Sequence, residues 1–269
     1  MSQTIFITGA SSGLGKAAAK LFAAKGWQVI ATMRTPEKET ELTKIENITL
    51  LPLDVTDNTQ IENTVKQALQ RGPVDVVFNN AGYGLSGPFE ATSDEQLTRQ
   101  INTNLLGVMR VTKAFIPAFR ERKTGLFINT TSIGGLVTFP FNSVYHATKW
   151  ALEGWSESLS FELNRFGIRV KTVSPGGILT DFAGRSLELV DHPAYTALLE
   201  KVKQVFFNPE RAALYSSAGT IADVVYEAAT DNKDTLRYVA GADARGMYAR
   251  RLELGDEQFR KEIAVSFFG

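Results

Sequence analysis

Cysteine is absent from the 269-residue chain, which excludes disulfides, thiol nucleophiles, iron–sulfur clusters and cysteine-ligated zinc. Histidine is almost absent. His146 and His192 are the only two, too few for a multi-histidine site, and no metal is expected. An excess of one charge sign is also lacking: Lys and Arg total 29, Asp and Glu total 29. Nothing in that balance favours nucleic acid or an anionic membrane. No apolar run approaches the ~18–20 residues of a membrane span. No basic residue precedes Lys16, so no secretory pattern is read at the start. Together these absences lead us to expect a soluble, cytoplasmic protein without membrane or nucleic-acid partners.

Short apolar runs alternate with longer amphipathic ones. Candidate strands are Thr4–Thr8, Gln28–Thr32, Ile48–Leu53, Val74–Phe78, Gly125–Thr130, Arg169–Val173 and Leu236–Val239. Several are continuously apolar, as expected when a parallel sheet is covered on both faces. Helical patterns lie between them at Leu14–Ala24, Thr59–Gln70, Glu95–Arg122, Ser143–Arg165 and Thr220–Thr230. This alternation predicts an α/β fold, a doubly wound parallel sheet. No repeat or Pro/Ser-rich linker marks a boundary, so residues 1–269 read as a single domain. Residues 181–209 break the rhythm. They hold no strand candidate but many apolar residues, which reads as extra core helix or as a helical lid over a pocket. The C-terminus reads as a helix followed by an exposed Phe267-Phe268 tail, with packing onto the body or a neighbouring subunit as the alternative.

At the first strand-to-helix junction stands Thr8-Gly9-Ala10-Ser11-Ser12-Gly13-Leu14-Gly15. Glycines there allow a tight turn and close backbone approach, and a helix N-terminus offers free N–H groups to a pyrophosphate. The spacing is Gly-x-x-x-Gly-x-Gly, and its position points to a dinucleotide. At the end of the second strand an acid would hold a ribose hydroxyl, whereas arginine accommodates a 2′-phosphate. Here Met33-Arg34 precedes the first acid of the chain, Glu37. The first 36 residues are therefore locally positive, and Arg34 predicts NADP(H) over NAD(H), although NAD(H) stays possible. The competing reading of Arg34 is a solvated loop arginine. Asp54, ending the third strand, is placed to accept from an adenine amino group, with Asp57 the better helix cap. Asn79-Asn80-Ala81-Gly82 ends the fourth strand at the same edge.

Tyr145 and Lys149 stand at i and i+4 on one face of a predicted helix. A tyrosine ordinarily titrates near pH ~10, and an ammonium one turn away is expected to lower that value. Ser132 ends the preceding strand, where its hydroxyl could converge on the same point.

With these motifs in order, the chain resembles the short-chain dehydrogenase/reductase family, and in particular the branch with 17β-hydroxysteroid dehydrogenases and bacterial ketoreductases. The resemblance rests on Thr8–Gly15, Asn79–Gly82, Asn104-Leu-Leu-Gly107, Ser132, Tyr145-x-x-x-Lys149 and Pro175-Gly-Gly-Ile-Leu-Thr180, with a weaker match through Leu236–Asp243. It implies a Rossmann fold and a tetrad of Asn104, Ser132, Tyr145 and Lys149. Tyr145 would be the acid in ketone reduction and the base in alcohol oxidation. Lys149 would lower its pKa and bind the nicotinamide ribose, Ser132 would orient the substrate oxygen, and Asn104 would hold a relay water. Cofactor contacts would come from Gly9, Ser11, Ser12, Gly13, Leu14, Gly15, Arg34, Asp54, Val55, Asn80, Ala81, Gly82, Tyr145, Lys149, Pro175, Gly176, Ile178 and Thr180. Ser12 stands where phosphate-binding members often carry a basic residue, which leaves Arg34 more nearly alone. The family also implies a homodimer or homotetramer.

The expected activity is NADP(H)-dependent interconversion of a ketone and a secondary alcohol, as in a carbonyl reductase. The small-molecule substrate is expected to be bulky and apolar. An NADP(H)-binding regulatory or sensor protein without turnover is the alternative from another class, and it would be favoured by a degraded tetrad. Phe139, Phe141 and Phe182 are candidate substrate contacts, with loop anchoring the competing reading for Phe139 and Phe141. His146 reads as a packed histidine.

Overall fold

The computed structural model describes residues 2–179, 186–206 and 208–269. Its centre is a seven-stranded sheet of β1 (Thr4–Ile7), β2 (Gln28–Met33), β3 (Ile48–Pro52), β4 (Val76–Asn79), β5 (Gly125–Thr130), β6 (Ile168–Pro175) and β7 (Arg237–Ala240). The spatial order is β7-β6-β5-β4-β1-β2-β3 and every pairing is parallel. The order reverses between β1 and β4, and in such sheets the crevice beyond the strand ends at that reversal is the place for a ligand.

The apolar runs are continuous because both faces are covered. Ile5, Ile7, Val76, Phe78, Leu126 and Ile128 turn to a core with helices α1 (Gly13–Ala24) and α7 (Ala218–Thr230), where Phe22 packs edge-on against Trp27 and Tyr226. Their neighbours Phe6, Val77 and Phe127 turn the other way. They meet α2 (Asn58–Gln70), α4 (Gly107–Arg122) and α5 (Ser143–Leu163) around Phe115 and Phe119. This alternation, with period two, is what a strand buried on both sides requires.

Five differences from the sequence reading have physical causes. The pattern over Glu95–Arg122 is not one helix: α3 (Asp94–Ile101) ends in a π turn at Asn102–Leu106 before α4 begins. Residues 181–209 were expected to hold no strand, yet Leu187–Leu189 pairs in parallel with Gly84–Ser86; three residues are too few to show a period. In the same stretch α6 (Thr196–Phe206) is the expected helix. The first 36 residues are not uniformly positive once folded, because Lys16 meets Glu39 at 3.1 Å and Glu41 at 2.7 Å, and Lys20 meets Glu41. A helix absent from the sequence reading, α8 (Ala242–Leu254), precedes α9 (Asp256–Phe268). Finally, the expected exposed tail is not one at Phe267. That ring is buried against Phe139 and Phe206.

Candidate active site

The turn after β1 and the loop after β4 meet at the point of reversal. The Thr8 hydroxyl accepts from the backbone N–H groups of Asn80 (2.9 Å) and Ala81 (3.0 Å), and the Asn80 amide donates to the carbonyls of Thr8 and Gly9 at 3.1 Å. Gly9 has φ +67°, and a methyl group on Gly15 would collide with the Gly9 carbonyl and the Asn80 side chain. Only hydrogen fits there. Ser12 caps α1 without a side-chain bond to its amides, and the first turn holds no acid. The helix thus presents N–H groups and a positive dipole end to the crevice. Such a cradle fits a pyrophosphate. Arg34 is exposed beside it and, among the described residues, forms no ion pair. Asp54 closes a turn on Thr56 (2.7 and 2.9 Å), while Asp57 caps α2 through the Gln60 amide.

Asn79 is buried and ties the sheet to its helices, donating to Thr112 and Asn129 at 2.9 Å. Below it, the expected tetrad converges. Ser132 follows β5 in extended backbone, and its hydroxyl accepts from the Gly134 amide at 3.0 Å. Tyr145 and Lys149 occupy successive turns at the start of α5. The ammonium lies 5.7 Å from the phenol ring centre and donates to the Thr130 carbonyl at 2.9 Å. Asn104 sits inside the π turn, an irregularity common at functional sites. Its amide clamps the Tyr83 backbone, accepting from N–H at 3.0 Å and donating to C=O at 2.8 Å. A methyl on Gly82 would lie 3.1 Å from Asn104 Oδ1 and 3.9 Å from Lys149 Nζ. Asn104 and Lys149 therefore face the same small space, which the bare Gly82 leaves open.

One electrostatic expectation reverses. Burial raises the Tyr145 pKa above its usual value, and the hydrogen bond with Ser132 opposes this without cancelling it. Lys149 is itself pushed down to about 8 by burial, with Glu153 pulling the other way. Removing water has cost the phenolate more than the Ser132 hydrogen bond returns. His146 is held neutral, near 4, by burial, and accepts from the Phe139 amide at 3.4 Å.

The strand β6 ends in the Pro175-Gly176-Gly177 turn, where the Gly177 amide donates to Asp243 at 2.7 Å and a side chain on Gly176 would strike that carboxylate. Asp243, at the start of α8, escaped the sequence reading as a site residue; its signal was an acid two residues after Gly241. Ile178 pairs with Ser216 just beyond the turn. Thr180 and Phe182 lie outside the described residues. The carbonyl of Phe141 accepts from Gly87 N–H (2.7 Å) and the Ser86 hydroxyl (3.0 Å), with φ +60°, and its ring meets Tyr195 edge-on at 6.0 Å. Phe139 instead joins His146, Phe206 and Phe267 around the Arg211 guanidinium, a setting that supports anchoring for it. Residues 186–206 dock through Arg99 on Glu188, through Gln96 on Glu188 at 2.7 Å, and through Tyr195 on Glu90 at 2.8 Å.

A doubly wound parallel sheet with this turn at the reversal and this tetrad beside it defines a nicotinamide-type oxidoreductase class, and the family model described as short chain dehydrogenase matches residues 3–189. The chain belongs to the short-chain dehydrogenase/reductase family. A short-chain dehydrogenase structure from Streptomyces avermitilis superimposes with TM-score 0.86 and 33% identity, over 98% of this chain and 95% of that one. The structure of ElxO with NADP bound aligns with TM-score 0.76 and 26% identity, over 93% and 100%. A 3-ketodihydrosphingosine reductase from Bacteroides thetaiotaomicron is 39% identical over 181 residues, 67% of this chain and 65% of its own length. Among the described residues no helix is long and apolar enough to cross a membrane, and no cluster of His, Asp and Glu could hold a metal ion.

Proposed function

We propose that the protein is an NADP(H)-dependent ketone reductase working through Asn104, Ser132, Tyr145 and Lys149. The observation that carries this reading is the hydrogen bond between the Ser132 and Tyr145 hydroxyls, with the Lys149 ammonium 5.7 Å from the Tyr145 ring centre and Lys149 and Asn104 both facing the space beside the bare Gly82. The cofactor, when bound, supplies hydride. The chain binds, orients and moves the proton. The N-terminal turn of α1, with Gly9, Ser11, Ser12, Gly13, Leu14 and Gly15, suits the pyrophosphate, and Arg34 a 2′-phosphate, in keeping with the NADP-bound ElxO structure. Asp54 and Val55 border the adenine side; Asn80, Ala81, Pro175, Gly176 and Ile178 border the nicotinamide side, and Thr180 is assigned there by the resemblance alone.

A phenol with its pKa held up is protonated at neutral pH, which is the state needed to donate a proton to a carbonyl oxygen gaining hydride. Ser132 would hold that oxygen, and Lys149 would supply positive charge as the phenol ionises. The same phenol group would take that proton back in the reverse oxidation. Residues 181–209 act as a cover, supported by the docking of 186–206 over the Phe141 loop. An apolar carbonyl compound, touched by Phe141 and, on the sequence reading alone, by Phe182, fits the aromatic character of that cover better than a polyol does. A relative named for reducing a keto substrate supports the same class. A homodimer or homotetramer through α4 and α5 is part of the reading, supported by exposed Trp150 and Phe161 on α5. A cytoplasmic setting is part of the same reading.

The test is a panel of aryl, alicyclic and sugar-like ketones with NADPH and with NADH, following nicotinamide absorbance. Turnover of apolar ketones with NADPH is expected. No oxidation of NADPH with any ketone, despite tight NADPH binding, would replace this reading with the sensor.

A further inference from the structure

Glu153 stands one turn beyond Lys149 and two turns beyond Tyr145 on α5, so the three share one face. Its carboxylate is buried, with the residue only 4% exposed. A carboxylate in that position is costly unless fully partnered, and this one has three donors. Oε1 accepts from the Ser174 hydroxyl at 2.8 Å; Oε2 accepts from the Thr172 hydroxyl at 3.2 Å and Arg237 Nε at 2.9 Å.

Each partner leads to a different part of the site. Ser174 immediately precedes the Pro175-Gly176-Gly177 turn, and it accepts at 2.9 Å from the hydroxyl of Thr131, the neighbour of Ser132. The Ser132 loop itself rests on this stretch of helix: a methyl on Gly135 would lie 2.8 Å from the Lys149 carbonyl and 3.2 Å from Glu153 Cγ. Buried ion pairs are often matched or bettered in stability by apolar residues, so a pair at this junction asks for a role other than stability.

On the footing of the reading given above for Tyr145 and Lys149, we infer that Glu153 is a positioning residue for the reduction. It joins α5, the Ser132 loop and the Pro175–Gly177 turn into one unit and sets negative charge one turn from the Lys149 ammonium. Facing Lys149 are Tyr145 and Glu153 from its own helix, the Thr130 carbonyl from β5 and Asn104 from the π turn. Facing Glu153 is Arg237 from β7, which also has Glu157 at 3.7 Å and Tyr248 of α8 as titratable neighbours.

Two neutral substitutions should act in opposite directions. Glu153→Gln removes the charge that opposes loss of the Lys149 proton. Arg237→Gln leaves that charge uncompensated. The readout is the NADPH dissociation constant from pH 7 to pH 10, followed by nicotinamide fluorescence, since Lys149 is assigned to the nicotinamide ribose. Binding should weaken with rising pH as Lys149 deprotonates. The midpoint should fall by about one pH unit in Glu153→Gln and rise in Arg237→Gln, whereas Glu153→Asp, which keeps the charge, should stay near wild type. A purely structural role would weaken binding equally at every pH. Midpoints coincident with wild type in both neutral variants would overturn the inference. If Glu153→Gln does not fold, an unmoved or lowered midpoint in Arg237→Gln overturns it alone. Lys149→Ala separates this from the parent reading. If that variant keeps the wild-type pH dependence, the role of Lys149 is wrong and the inference goes with it. If it loses the dependence while the charge variants follow wild type, only the role of Glu153 is wrong.

Discussion

Phe267, in the last turn of the chain, lies 6.2 Å from Phe139, in the loop between Ser132 and Tyr145, ring centre to ring centre. Phe206, closing α6, completes the cluster at 5.3 Å from Phe267, and the Arg211 guanidinium lies over all three rings. The C-terminal helix, α6 and the loop between Ser132 and Tyr145 thus share one small core.

Phe267→Ala should accordingly cost about 3 kcal/mol in a denaturant titration. It should also reduce turnover more than NADPH affinity, because the rings it supports anchor the loop between Ser132 and Tyr145. Wild-type stability would show that the cluster contributes no packing.

Arg34→Ala should lower kcat/KM with NADPH roughly 10- to 150-fold, the range of one charge-assisted contact to phosphate, and leave NADH use almost unchanged. Lys16 and Lys20 are occupied by Glu39 and Glu41, so neither should compensate. Steady-state kinetics with both cofactors decide this, and equal loss with NADH would remove Arg34 from phosphate recognition.

Tyr145→Phe should lower ketone reduction by ~10²–10⁴-fold while NADPH still binds. Because burial raises the phenol pKa, reductive activity in the wild type should persist above neutrality until Lys149, held near 8, loses its proton. A pH profile of kcat/KM checks the limb, and wild-type turnover by the phenylalanine variant would end the tetrad mechanism.

Hydrogen exchange should show the amide of Val190, bonded to the Ser86 carbonyl at 2.8 Å, becoming more protected when NADPH and an accepted ketone are added together. Three residues of parallel pairing and an exposed Arg99–Glu188 pair are a light attachment. Equal protection in both states would identify residues 186–206 as a fixed part of the body.

On the far side of the sheet Lys171 is buried and bonds Asp231 at 2.7 Å, Tyr238 at 2.9 Å and the Ala228 carbonyl at 2.9 Å. Burial alone would push the Asp231 carboxyl up, but the Lys171 ammonium and Tyr238 hydroxyl outweigh it and hold it at about 2. Its folded pKa lies below the unfolded value. The stabilisation is therefore complete above about pH 4 and is lost as pH falls toward 2. Asp231→Ala, leaving Lys171 buried and unpaired, should cost about 3–5 kcal/mol at pH 7, and the loss should narrow in acid. Denaturant midpoints across pH measure both.

Most of the seven strands were legible because they are short runs apolar on both faces, β6 with Arg169 and Lys171 being the least so, and the Gly turn was legible because it falls at a strand-to-helix junction. Other features left no trace in the pattern. Asn102–Leu106 keeps an apolar rhythm close to a helix, so the π turn at Asn104 is invisible until Tyr83 is seen to hold the amide. Glu153 looked like one acid among many on a long helix; its partners Thr172, Ser174 and Arg237 are 19 to 84 residues away. The expected lowering of the Tyr145 pKa failed for a similar reason. Spacing gives the distance to a cation but not the water that burial removes.

The π turn also sets a rule for length. Each residue of α-helix advances the face by about 100°, so α3 and α4 are in register only while the wide turn at Asn102–Leu106 absorbs its extra residue. A one-residue deletion there would let the segment close to a regular helix with the faces of α3 and α4 still aligned, but the wide turn that presents Asn104 to the Tyr83 backbone would be lost. A one-residue insertion, with no second wide turn to absorb it, would instead swing one end against the other by about 100° and take either Asn104 from Tyr83 or Phe115 and Phe119 from the sheet. Substitutions at exposed positions along α3 and α4 should be tolerated far better than any insertion or deletion between them, so homologous chains should vary here in sequence and hardly at all in length.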